Sequence, residues 1–204
     1  MAAPVRNVAR DRRGVAALEF AIVLPVLLLL LVGFLDVAYL ARGYLRAQTA
    51  ATQVGQIISQ CTSVSSADDA VIAKFAERTL GPFRKPGKQW AVVVTAIGVN
   101  AANQPERWWV MDNRGTNAGA FATDGISLPA NFALRAGEAM FRTEVFIQLD
   151  SMLFSKANSL LVEKIGLSKI NSITTVTSSL LHTSRAPDTS KLKTKTSATG
   201  ACLS

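Results

Sequence analysis

Residues 12–41 read RRGVAALEFAIVLPVLLLLLVGFLDVAYLA. From Val15 to Ala41 only Glu19 and Asp36 carry charge. About 20 predominantly apolar residues suffice to cross a bilayer as a helix, so the stretch predicts one transmembrane helix over 15–41. No second apolar run of that length follows it. Upstream, residues 1–14 hold four arginines against Asp11, a net charge of +3. Basic residues ahead of a span keep its N-terminus cytoplasmic. Everything from about Arg42 onward is then expected on the far side of the membrane.

Two simpler kinds of segment compete. A secretory signal peptide has an apolar core of roughly 7–15 residues closed by an A-x-A-like site. Here the run is longer and no such triplet closes it. A plain membrane anchor accounts for the length but not for Glu19. A carboxylate in lipid is costly and marks function by default, unless it snorkels to the nearby interface.

Outward from this segment, the composition bounds the rest. The chain has 204 residues and a net charge of +8, with 49% hydrophobic and 18% charged residues. That apolar content excludes a disordered chain, and the length suits one modest folded domain. A single histidine and two cysteines exclude a multi-histidine or four-thiolate metal centre. No metal or cofactor is expected.

The helix is expected to run on to about Gln60, roughly 69 Å at 1.5 Å per residue. Val54, Ile57, Ile58 and Cys61 form one apolar stripe, which Ala47, Ala50 and Ala51 extend. Pro25 removes one backbone hydrogen bond, to Ala21, and predicts a tolerated kink. A short helix starts near Ser66, carries Val71, Ile72, Phe75 and Ala76 on one face, and stops at Gly81-Pro82. A basic loop with Arg84, Lys85 and Lys88 follows. Strands are expected over Trp90–Val99, Arg107–Met111 and Ile173–Leu181, with a half-buried one alternating through 139–149. Residues 113–129 read as a long loop, and Met152–Ile165 as a further helix ended by Gly166. The expected fold class is α+β and pilin-like, with a long N-terminal transmembrane helix packed on a small antiparallel β-sheet.

Between the arginines and the apolar run stands Gly14-Val15-Ala16-Ala17-Leu18-Glu19-Phe20. This resembles the processing site of type IV prepilins in its short form, Gly-x-x-x-x-Glu-Phe/Tyr, found in Flp-type or tight-adherence (Tad) pilus systems. The run AALEFAIVLPVLLLLLVGFLDVAYLARGYLRAQTAA resembles the N-terminal segment of TadE-like minor pilins. The likeness covers residues 13 to about 60. A weaker similarity extends to GEAMFRTEVFIQLDSM and the Ser/Thr-rich stretch ending at Arg185. The tail from Ala186 matches no family motif.

The resemblance implies a cut between Gly14 and Val15 by a prepilin peptidase, an integral-membrane aspartic protease. Glu19 becomes the fifth residue of the mature chain, and Phe20 holds the next motif position. Losing the leader takes the net charge from +8 to +5, since four arginines and Asp11 go with it. The resemblance further implies that Glu19 pairs with the terminal amine of a neighbouring subunit during assembly. The implied partners are other minor pilins, the major Flp pilin, the peptidase, the inner-membrane assembly platform and the lipid bilayer. The chain then divides into a leader (1–14), a transmembrane helix (15–41), its periplasmic extension (42–61), a periplasmic α+β domain (62–185) and a basic polar tail (186–204). The alternative is an uncleaved single-pass anchor carrying a periplasmic binding module.

Two cysteines in an exported domain suggest one disulfide, Cys61–Cys202. Otherwise Cys61 is a small core residue and Cys202 a free thiol. The tail DTSKLKTKTSATG shows no apolar face and reads as a solvated end. DNA or polysaccharide contact would rest on net charge and is not expected. No residue is assigned a catalytic role. His182 is the only histidine, no nucleophile elbow or phosphate loop accompanies it, and it reads as a surface or edge-strand residue. Asp68 and Asp69 read as helix N-terminal charge. Trp108 and Trp109, adjacent on a strand, are expected on opposite faces, one in the core and one available as an interface or sugar-stacking anchor.

Overall fold

A computed structural model describes residues 12–83, 89–115, 118–119, 121–123, 125–126, 128, 134–150, 173–186, 188–195 and 202. The leader upstream of Arg12, the basic loop at Arg84, Lys85 and Lys88, and the helix expected at Met152–Ile165 lie outside them.

One helix, α1, spans Arg12–Ser59 without a break at Pro25. Its 48 residues make a rod about 72 Å long. Every residue from Gly14 to Val32 is exposed. The face turned to the rest of the protein is first buried at Asp36, which is 5% exposed. From there the predicted stripe closes onto the core through Ala47, Ala50, Ala51, Val54, Ile58 and Cys61. The helix ends where the main-chain oxygen of Ser59 accepts from the Arg185 amide at 2.7 Å, which satisfies one of its orphan carbonyls.

Helix α2 (Ser66–Leu80) lies against α1. At its start the Asp68 carboxylate accepts from the Ser65 amide at 2.8 Å and from the Ser65 hydroxyl at 3.0 Å. This satisfies the chain just before the first turn. Gly81, at φ 53°, ends the helix in a conformation L side chains rarely adopt, and a 3-10 turn at Gly81–Phe83 follows.

Four strands form one antiparallel sheet: β1 (Trp90–Val99), β2 (Pro105–Asp112), β3 (Met140–Asp150) and β4 (Ile173–Thr183), in the order β2-β1-β3-β4. β1 and β2 are joined by a turn in which the Asn100 side-chain oxygen accepts from the amides of Ala102 and Gln104, each at 2.9 Å. One sheet face packs on α1 and α2 through Val92, Val94, Ala96, Phe141, Val145 and Ile147. At Gly55 of α1 the backbone comes so close to β4 that a Cβ would strike the His182 imidazole.

The opposite face is not solvated as alternation in β3 suggests. Nine of its eleven residues are buried, on both faces. The physical reason is the connection from β2 to β3, which must cross from an edge strand to the far side of β1. On the way it lays Phe121 on Phe146, ring centroids 5.1 Å apart, and brings Leu134 onto Ile97 and Met140. Arg142 and Glu144, which alternation would place in water, are thereby buried.

Candidate functional site

The motif residues sit on the exposed half of α1. Among the described residues, nothing lies within 4 Å of a Cβ placed on Gly14. Val15 and Glu19 are one helical turn apart, and Leu18 and Phe20 are 65% and 61% exposed. From Val15 to Leu35 the exposed apolar stretch is about 32 Å long, close to the roughly 30 Å of a bilayer's hydrocarbon core. A helix with this composition, unburied by the described residues, is compatible with a single-pass membrane anchor. Asp36 marks where packing against the folded domain begins.

Residues 188–195 of the C-terminal tail lie against the domain, in contrast to the solvated end expected from the tail's composition. A 3-10 turn at Thr189–Leu192 buries Leu192 completely in the main core. The Thr189 hydroxyl donates to the Gly137 oxygen at 2.7 Å. Lys195 then forms an ion pair with Asp69 of α2 at 2.6 Å and stands 5.0 Å from the centre of the Trp109 ring. Asp69 therefore has a tertiary partner besides its place in the first turn of α2. Further on, Cys202 comes back to the end of α1, with its Cα 5.3 Å from that of Cys61, within the range a disulfide spans. The apolar signal for this path was one leucine among lysines, with Cys202 as its only other marker.

Trp108 and Trp109 do not point to opposite faces. A β-bulge intervenes: Ala96 pairs with Trp109 while Ile97 pairs with Arg107, so Trp108 is the extra residue. A bulge resets the alternation, and both indoles pack on the same helix-side core. Trp109 is 9% exposed, and Trp108 lies directly over Gly98 on the neighbouring strand. The outer side of this edge carries a polar cleft of about 540 Å³, lined in part by Thr95, Arg107, Asp112 and Arg114. There Arg114 grips the Asp112 carboxylate through two nitrogens, the shorter contact 2.6 Å. Those hydrogen bonds hold the Asp112 carboxyl below its ordinary range.

His182 faces α1 from edge strand β4, half-buried, with no hydrogen-bond partner at Nδ1 among the described residues. Burial pushes its pKa down. Among the described residues no cluster of three His, Cys, Asp or Glu side chains could hold a metal ion.

These features define a class: an α+β protein in which a long apolar N-terminal helix doubles as one wall of a small antiparallel-sheet domain. The helix carries a further likeness. Residues 14–55 match the family model described as TadE-like protein. The match covers the bare half of α1 and most of its packed half, so the spine helix is similar to that of TadE-like proteins, the likeness that the motif at Gly14–Phe20 implied. No curated protein and no solved structure matches the chain.

Proposed function

We propose that this protein is a minor pilin, or pseudopilin, of a Flp/Tad type IV pilus. A prepilin peptidase cuts it after Gly14, and it acts without enzymatic chemistry in the assembly, priming or regulation of the pilus. The observation that carries this reading is the bare apolar stretch from Val15 to Leu35, which holds one carboxylate, Glu19, a single turn from the proposed new terminus.

Cutting on the cytoplasmic side removes the basic leader and leaves the helix whole. A carboxylate in lipid is costly, and a cation beside it offsets much of that cost. The Val15 amine of a neighbouring subunit supplies the cation, so Glu19 acts as a register and docking residue. Phe20 keeps the motif position next to it. The protein sits in the inner membrane with its N-terminus cytoplasmic. Residues 15–41 span, 42–61 extend the helix, and 62–185 fold in the periplasm. There Cys61 and Cys202 form a disulfide that fastens the 186–204 tail to the end of the spine. Its partners are other minor pilins, the major Flp pilin, the peptidase and the assembly platform.

The test is Glu19→Ala in a piliated host. The variant should remain membrane-bound and be cut, while pilus number falls. Normal pilus counts with that variant would remove the docking role.

A further inference from the structure

Beyond its bare stretch, α1 presents Arg42 and Arg46, four residues apart and both exposed. That spacing places them on one face of the helix. With Leu45, Thr49, Pro82 and Phe83 they line a cleft of about 440 Å³ between α1 and the turn that ends α2. Among the described residues no carboxylate lines it, and the ion pairs Arg114–Asp112 and Lys195–Asp69 lie elsewhere. Two like charges at this spacing repel each other. With no acid among the described residues of the cleft, an anion from outside is what relieves them.

The depth of the cleft says where the anion comes from. Arg42 stands seven residues past Leu35, roughly 10 Å along the axis. The headgroup layer occupies about 5–8 Å beyond the hydrocarbon on each side. Side chains on a helix lean toward its N-terminus, here toward the apolar stretch, and a long arginine stem spans the remaining gap. The walls suit an amphipathic guest. Leu45, Pro82 and Phe83 are apolar, and the Tyr39 ring lies 5.3 Å from that of Phe83, an aromatic pair at the level where such rings collect in membrane proteins. The guanidinium fork matches phosphate oxygens in pairs.

We propose that this cleft binds the phosphate headgroup of an anionic phospholipid in the leaflet on the domain side of the membrane. The proposal rests on α1 spanning the bilayer. It gives the domain a fixed height and rotation on the membrane surface while the subunit waits to be assembled.

The experiment uses the full chain in a neutral detergent, as wild type and as the double variant Arg42→Gln/Arg46→Gln. Each is titrated with short-chain phosphatidylglycerol, with phosphatidylcholine of equal chain length and with inorganic phosphate, following tryptophan fluorescence. Phosphatidylglycerol should bind saturably to the wild type. Its affinity should fall roughly 30-fold in the double variant, about 5-fold per arginine. Equal binding of the two lipids, or undiminished binding by the variant, would overturn the proposal. Inorganic phosphate binding as tightly as phosphatidylglycerol would overturn the lipid assignment. Flotation with phosphatidylcholine vesicles reads the span separately. Both proteins should float, and failure of both would remove the membrane reading and the proposal with it.

Discussion

The indole nitrogen of Trp109 donates to the main-chain oxygen of Leu192 at 2.8 Å, across 83 residues of sequence. The bond ties edge strand β2 to the tail, and Leu192 fills the core beside it. A segment that reads as solvated is thus part of the fold. The reason is geometric: the tail bridges α2 and β2, with the Lys195 ammonium donating to the Asp69 carboxylate of α2 and to the Val110 oxygen of β2.

Leu192→Ala should therefore destabilise the protein by about 2–4 kcal/mol, the usual cost of emptying a buried leucine site. Lys193→Ala, one residue on and exposed, should change stability by less than about 0.5 kcal/mol. Denaturant unfolding of the detergent-solubilised chain distinguishes them. Equal, small effects would mean that the tail does not contribute to the core.

Gly98→Ala probes the bulge. A Cβ at Gly98 would collide with the six-membered ring of Trp108, so the indole must move. The expected cost is about 1–3 kcal/mol, as for other overpacked sites, with a shift in tryptophan emission. A variant with wild-type stability and emission would show that Trp108 does not lie over Gly98.

Acidification should act through His182. Burial lowers its folded-state pKa below the ordinary 6.5, so the unfolded chain binds a proton more readily than the folded one. Stability is then complete above the unfolded value and declines as pH falls through 6.5 toward the folded value. His182→Gln should flatten that decline between pH 7.5 and 5.5. As His182 is the only histidine, an unchanged slope in thermal melts would contradict the assignment.

Much of this architecture is legible in the sequence because its periodicities are strong. Val54, Ile58 and Cys61 keep helical spacing, and Phe141, Val145, Ile147 and Leu149 keep strand spacing. The long helix that carries Gly14, Glu19 and Phe20 could be read because its first half is a membrane-length apolar run. What could not be read depends on long-range packing. Alternation at Arg142 and Glu144 cannot reveal that a crossing connection buries the second face. The run Arg107-Trp108-Trp109 contains no glycine or turn residue to announce a bulge. Leu192 is a lone apolar residue whose burial depends on the gap between α2 and β2.

The measurement closest to the central claim is the N-terminal sequence and intact mass of the membrane-extracted protein, produced with and without a Tad-type prepilin peptidase. A start at Val15 is expected only when the peptidase is present, with a mass two hydrogens below the fully reduced value. A chain that keeps residues 1–14 in both samples would contradict it, and would leave a membrane-anchored periplasmic binding module in its place.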